Sequence, residues 1–218
     1  DGTRIVYVSR RGSQTGLAVR AIDQLSATLL DATVGSQPYG PFISPDGAWV
    51  GFFSERDNSL KKVSILGGPI VNIGEVDAPA LRGASWGVDD TIVFGTSASS
   101  GLWRVSAEGG EPEVLTTVSA ERGAGNHGWP QMLPGGEALL FTMLPAGGSI
   151  ETAQMAALDL NTDEVSVLLP GGSFPRHSAT GHLVYGIDGT LRAVPFDLDR
   201  LEVTGAPVQV LDGGVHRI

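Results

Sequence analysis

Short apolar segments of similar sequence return along this chain at intervals of 42 or 43 residues. The segments LAVRAI, LKKVSI, LWRVSA and LRAVPF begin at Leu17, Leu60, Leu102 and Leu191, the last of them two intervals beyond the third. QMAALD at Gln154–Asp159 is the copy in between, displaced by an insertion over residues 144–153. Similarity at a fixed period of this size is typical of repeat proteins, in which each repeat forms one structural unit.

A tight turn followed by a second apolar run lies upstream of most of these segments. The runs that follow such turns are Trp49–Ser54, Thr91–Thr96, Ala138–Met143 and His182–Ile187. The turns are rich in Gly, Asp and Pro, as in SPDG and LPGG, and the runs are rich in β-branched and aromatic residues. This pattern predicts β-strands. We therefore expect each repeat to form four short antiparallel strands. This strand count and the repeat length are those of a β-propeller blade.

The composition argues against other folds with a similar period. The 218 residues include 31 Gly and 13 Pro, and a pair of helices in every repeat would have to contain many of these helix-breaking residues. A β-sandwich would show no internal period. The predicted fold class is therefore all-β, a single β-propeller of four-stranded antiparallel blades. The five expected units are residues 4–35, 36–75, 76–118, 119–172 and 173–212.

The first of these units is incomplete. It begins with RIVYVS at Arg4–Ser9, which corresponds to the second strand of the other units, and only Gly214–Ile218 follow the last unit. Because native proteins avoid open sheet edges, we expect the chain to be a fragment of a larger propeller.

Charge and composition narrow the classes of partner. The chain has 14 Lys and Arg residues against 24 Asp and Glu residues, a net charge of −10, which argues against nucleic acid because phosphate binding needs clustered cations. The absence of cysteine excludes disulfides, thiol catalysis and cysteine zinc sites. No stretch approaches the roughly 18 apolar residues of a membrane span. The expected partner is a protein or a small-molecule ligand, with no cofactor.

The segment before the innermost strand of each blade is expected at the mouth of the central channel. The candidate ligand-binding residues in and beside these segments are Tyr39, Arg82, Arg122, Asn126, His127, Trp129, Arg176 and His177. Arg82, Arg122 and Arg176 come from three blades, and together they would bind an anionic or carbohydrate-like ligand. In the alternative interpretation, these arginines pair with acids such as Glu121 and Asp77 around a water-filled channel.

Metal and catalytic sites have weaker support in the sequence. His127 and His177 resemble a pair of metal ligands, but their loops lack a pair of carboxylates, which favours polar rim residues. Asp159–Asp163 has the alternating oxygen ligands of a calcium loop, but it lacks the glycine and the final glutamate of that motif. An ordinary turn explains it better. Gly83-Ala84-Ser85-Trp86-Gly87 has the spacing of a Gly-x-Ser-x-Gly elbow, but no helix pattern follows it as that motif requires. No catalytic residue and no metal site are therefore predicted.

Several longer segments resemble one known family. SPDGAWVGFFS, HGWPQMLPGGEALLFT and GHLVYGIDGTLRAVPFDLDRLEVTGAPVQVLDG look like TolB-type, WD-repeat-like propellers, above all those C-terminal to bacterial serine/threonine protein kinase domains. The resemblance covers nearly the whole chain. It implies a non-catalytic propeller in the periplasm or outside the cell, joined to a cytoplasmic kinase by one membrane span. The motifs of the kinase itself are absent from the sequence.

Three classes of function follow from this interpretation. The first is a non-enzymatic binding or sensor module that takes a ligand or protein at the channel mouth. The alternative is a propeller hydrolase, of the lactonase or esterase type, with a metal on the channel axis. The third is a structural partner in a cell-envelope assembly, which differs from the first only in the size of the ligand.

Overall fold

The computed structural model describes residues 2–76, 81–118 and 124–212, and nearly all of their regular structure is β-strand. The first sheet contains β1 (Arg4–Arg11), β2 (Gln14–Ala21) and β3 (Thr28–Leu30). The second contains β4 (Pro38–Ile43), β5 (Trp49–Ser54), β6 (Ser59–Ser64) and β7 (Val71–Glu75). The third contains β8 (Leu81–Trp86), β9 (Thr91–Thr96), β10 (Trp103–Ser106) and β11 (Glu113–Val114).

The two remaining sheets lie in the second half of the chain. The fourth sheet contains β12 (Ala124–Met132), β13 (Ala138–Pro145), β14 (Gln154–Asp159) and β15 (Val165–Pro170). The fifth contains β16 (Ser173–Ser178), β17 (His182–Ile187), β18 (Thr190–Asp197), β19 (Glu202–Val203) and β20 (Val208–Leu211). Here β19 pairs with the end of β18 and β20 with its beginning, so that the two together take the place of a fourth strand.

Every sheet is an antiparallel meander in which consecutive strands are hydrogen-bonded neighbours, except that β20 pairs with β18. This confirms the all-β class and the four-stranded unit predicted from the sequence. The predicted runs Trp49–Ser54, Thr91–Thr96 and His182–Ile187 are β5, β9 and β17 at the same bounds. The first sheet has three strands, and the predicted insertion holds a single 3₁₀ turn at Ile150–Thr152. Gly214–Ile218 lie outside the described residues. Within the described ranges, no helix is long and apolar enough to cross a membrane.

The chain forms two compact units, each with its own apolar core. Unit one is Asp1–Ala98 with Trp103–Leu115, and unit two is Ser99–Leu102 with Thr116–Ile218. The second strands β5, β9 and β13 are buried on both faces. Such strands are therefore continuous apolar runs in the sequence and do not alternate between apolar and polar residues.

A bulge interrupts the first strand of sheets two to five at the same position. It lies in β4, β8, β12 and β16, four residues before the turn that leads to the next strand. In each bulge one residue has a left-handed backbone, with φ of 54° at Gly40, 79° at Gly83, 51° at Trp129 and 57° at Phe174. Such bulges redirect side chains and are common beside functional sites.

Candidate functional site

Tyr39 lines an open pocket of about 620 Å³ in unit one. The pocket lies between the first two sheets, at the end of β1 and the start of β4. Its charged residues are Arg10, Glu55 and Arg56, and its other polar residues are Ser13, Gln14, Thr15, Gln37 and Tyr39. Hydroxyl, amide and guanidinium groups therefore surround the same space, with a single carboxylate among them.

The charges around this pocket favour an anion. Arg56 Nη1 donates a hydrogen bond to the carbonyl oxygen of Gly35 at 3.3 Å. Among the described residues, neither Arg10 nor Arg56 forms an ion pair. Two cations thus face the pocket together with Glu55, in a chain whose overall charge is −10.

The backbone that carries Tyr39 is held in place from both sides. The Gly35 N–H donates to the Thr15 carbonyl at 3.0 Å, and the Glu55 N–H donates to the Gln37 carbonyl at 3.1 Å. Gln37 has a left-handed backbone, with φ of 51°, a conformation that costs of the order of 1–3 kcal/mol outside glycine. Strain of this kind is often found at ligand sites, and here it lies between Gly35 and Tyr39.

Arg82 lies elsewhere in unit one, half-buried on β8, and does not line this pocket. Arg122, Glu121 and Asp77 lie outside the described residues. The expectation that Arg82, Arg122 and Arg176 share one ligand therefore stays a prediction.

Unit two brings three other candidate residues together where β12 and β16 meet. The rings of Trp129 and Phe174 are in contact, with centroids 4.3 Å apart. The backbone N–H of His177 donates to Oε1 of Gln131 at 2.6 Å, and its ring packs edge-on against Phe196 at 6.1 Å. Burial lowers the pKa of His177.

Arg176 is fixed to the backbone of these same strands. Its Nη1 donates to the carbonyl oxygens of Pro175 at 3.0 Å and Trp129 at 3.2 Å, with Pro130 at 3.5 Å. Neighbouring groups desolvate the guanidinium and lower its pKa, but an arginine stays protonated at any physiological pH. The residue remains exposed to solvent.

Asn126 and His127 are both buried. Nδ1 of His127 lies 2.8 Å from Oγ1 of Thr116, and its ring packs against Phe141 with centroids 5.0 Å apart. Burial lowers the pKa of His127 to about 4, so the ring is neutral near pH 7. These contacts favour a role in the core, although the sequence pattern predicted His127 at the channel mouth.

The turn at Asp159 has the form expected from the sequence. Oδ1 of Asp159 accepts the backbone N–H of Asn161 at 2.8 Å and that of Thr162 at 3.3 Å. These are the bonds of an Asx turn. In the part of the chain that the structure describes, no three His, Cys, Asp or Glu residues are grouped as metal ligands.

The sequence interpretation did not select several of these residues. Arg10, Glu55 and Arg56 end or follow the second strands of two repeats, and an antiparallel sheet places that end beside the start of the inner strand. Phe174 was also missed. A residue followed by proline stands at the same repeat position in Gly40-Pro41, Trp129-Pro130 and Phe174-Pro175, and this recurrence could have identified it.

Solved structures share the fold of this chain at low sequence identity. A chain in the crystal structure of a nidogen/laminin complex is 13% identical, with a TM-score of 0.69, over 88% of this chain and 73% of that chain. TolB from Acinetobacter baumannii is 17% identical, with a TM-score of 0.69, over 90% of this chain and 49% of TolB. An oligogalacturonate lyase in complex with manganese is 14% identical, with a TM-score of 0.57, over 97% of this chain and 74% of the lyase. No family model and no curated protein sequence matches the chain.

The fold is a β-propeller. TolB is among its structural neighbours, and this chain spans about half of the length of TolB. At these identities the similarity concerns the fold alone, and propellers host unrelated functions. What this chain does must therefore be argued from its own side chains.

Proposed function

We propose that this chain is a non-catalytic binding module whose unit-one pocket takes an anionic, hydroxyl-rich ligand. The observation that carries this function is that Arg10, Arg56 and Tyr39 line one open pocket of about 620 Å³. Guanidinium groups bind carboxylates through charge-assisted hydrogen bonds. The amide and hydroxyl side chains around them match the hydroxyl groups of a sugar or the backbone of a peptide.

Two further features support binding at this place. The left-handed Gln37 and the backbone hydrogen bonds on either side of it hold the Tyr39 segment before any ligand arrives, which reduces the entropy cost of binding. Volumes of 300–1,000 Å³ are ordinary for ligand pockets, which suits about 620 Å³ here. Pockets that recognise ligands typically combine such a space with a few placed polar groups.

The biological setting is proposed from the sequence resemblance. A TolB-like propeller in the periplasm or outside the cell, attached to a receptor-like serine/threonine kinase, would use the pocket to sense a ligand or an envelope protein. Accessibility of the domain to protease in intact cells, compared with permeabilised cells, tests the location on the full-length protein.

Binding is tested by calorimetry with trigalacturonate, which carries carboxylates and hydroxyls, and with maltotriose as its uncharged counterpart. We expect trigalacturonate to bind more tightly. Arg10→Gln and Arg56→Gln should each weaken it by about tenfold or more, because each removes a charged hydrogen-bond donor. Arg104→Gln is the matched control, since Arg104 is exposed in the same unit and pairs with Glu113 at 3.3 Å.

Three results would count against this function. Equal affinity for the two sugars would show that the pocket has no preference for anions. Unchanged affinity in both arginine variants would place the site elsewhere. Hydrolysis of a lactone or ester probe after addition of Mn²⁺ or Ca²⁺ would favour the propeller hydrolase instead.

A further inference from the structure

The guanidinium of Arg176 in unit two is held by one of its three nitrogens. Among the described residues, Nη1 donates the hydrogen bonds of this group, to the carbonyls of Trp129, Pro130 and Pro175. Within the described residues the structure gives Nε and Nη2 no hydrogen-bond partner, and no carboxylate forms an ion pair with the group. Arg176 as a residue is exposed to solvent. An oriented guanidinium edge with two N–H-bearing nitrogens has the geometry to donate two parallel hydrogen bonds to a carboxylate.

An aromatic pair lies beside the backbone to which Arg176 is bonded. Trp129 and Phe174 are half-buried, and their rings are in contact. Both residues have a left-handed backbone at the bulge where sheets two and three have Gly40 and Gly83. A bulky side chain is rare in that conformation, and glycine would relieve the strain. Retained strain of this kind is concentrated at ligand-binding positions.

We propose that Arg176, Trp129 and Phe174 form a second binding site, for a carboxylate carried next to a ring with an apolar face. The carboxylate takes the Nε and Nη2 edge of Arg176, and the ring of the ligand packs on the aromatic pair. An aromatic amino acid offers the face of its arene beside a free carboxylate, and a uronic acid offers the C–H face of its pyranose. The site uses no residue of the unit-one pocket and does not depend on the function proposed for it.

The experiment is an NMR titration that follows the Nε–H signal of Arg176 and the indole N–H signal of Trp129. The probes are N-acetyl-L-phenylalanine, its C-terminal amide, glucuronate and acetate. We expect saturable shifts of both signals with the first probe or with glucuronate, and much smaller shifts with the amide and acetate. The probe that binds more tightly distinguishes the two sources of the carboxylate.

Variants of Arg176 and of two other arginines test whether the two-nitrogen edge of Arg176 binds the carboxylate. Arg176→Lys keeps the charge but not the two-nitrogen edge, so we expect affinity to fall about tenfold or more. Arg200→Gln is the matched control, because Arg200 is exposed in the same unit and pairs with Glu202 at 2.9 Å. Arg10→Gln in the unit-one pocket should leave these shifts unchanged.

Several outcomes would overturn the assignment. These are shifts of equal size with the amide and the acid, no shift of the Arg176 signal with any carboxylate, or full affinity in Arg176→Lys. If Arg176→Lys fails to fold, the titration of the wild-type chain still decides, because it requires no variant.

Discussion

Oγ1 of Thr116 lies 2.8 Å from Nδ1 of His127 and also accepts the backbone N–H of Leu102 at 2.8 Å. Thr33 has a similar place in the first repeat, where its Oγ1 accepts the N–H of Leu17 at 2.7 Å and donates to the carbonyl of Leu30. In the later repeat the same hydroxyl also forms a hydrogen bond with an imidazole nitrogen. This bond ties the histidine to the core.

Burial of this histidine predicts loss of stability in mild acid. Its pKa is lowered from the usual 6.5 to about 4, so the unfolded chain takes up a proton at a higher pH than the folded chain does. The stability that His127 contributes is complete above pH 6.5 and is lost as the pH falls towards 4, by about 3 kcal/mol in total. Urea unfolding at a series of pH values measures this.

The variant His127→Gln should flatten that part of the pH dependence, whatever its effect at neutral pH. His182→Gln is the control, since Nδ1 of His182 bonds to the hydroxyl and the carbonyl of Thr180, two residues away. A profile of unchanged slope in His127→Gln would assign the acid sensitivity to other groups.

A second prediction concerns Lys62, which is buried between two tryptophans. Its Nζ lies 5.0 Å from the ring of Trp49 and 6.0 Å from that of Trp86, and it pairs with Glu108 at 2.8 Å. Because Glu108 is exposed, the ion pair contributes little, and the aliphatic stem provides most of the packing. We expect Lys62→Met to change the free energy of unfolding by less than about 1 kcal/mol.

Lys62→Glu should destabilise the domain by more than about 2 kcal/mol, because it buries an unpaired carboxylate against two ring faces. Thermal and urea unfolding of both variants provide the comparison. An equal loss in Lys62→Met would show that the cation itself, rather than its stem, stabilises this junction.

Close packing at Gly101 predicts a steric effect. A Cβ atom at Gly101 would lie 1.7 Å from the carbonyl oxygen of Thr116, whereas one at Gly189 would meet nothing within 4 Å. Gly101→Ala should therefore cost more than about 2 kcal/mol, as overpacking does. Gly189→Ala should cost about 1 kcal/mol, because only its positive φ of 72° opposes the change. Equal costs in urea unfolding would contradict this difference.

The hydrogen bonds that Asp159 accepts predict different stability losses for two substitutions at this position. Asp159→Ala removes the acceptor of two backbone N–H groups and should cost about 1 kcal/mol. Asp159→Asn retains an oxygen in the same place and should cost less than half as much. A rise in Tm on addition of Ca²⁺ that disappears in Asp159→Asn would restore the calcium-loop interpretation.

The strands themselves were largely predictable from the sequence. β5, β9 and β17 have their predicted bounds, because a Gly/Asp/Pro turn and a run of apolar β-formers act over a few neighbouring residues. The Asx turn at Asp159 is local in the same sense. The three-stranded first sheet was also predictable, since the repeat at Arg4 starts at the phase of a second strand.

Only the tertiary structure decided which side chains meet. The pocket joins Arg10 of the first repeat to Arg56 of the second, and Arg176 of the fifth repeat bonds the backbone of the fourth at Trp129. The sequence also gave no sign that the His127 ring is buried against Phe141. Turn chemistry and hydrophobic period are properties of short segments, whereas these contacts depend on how side chains of successive sheets pack. Their physical basis therefore lies in the packing of neighbouring sheets within each unit.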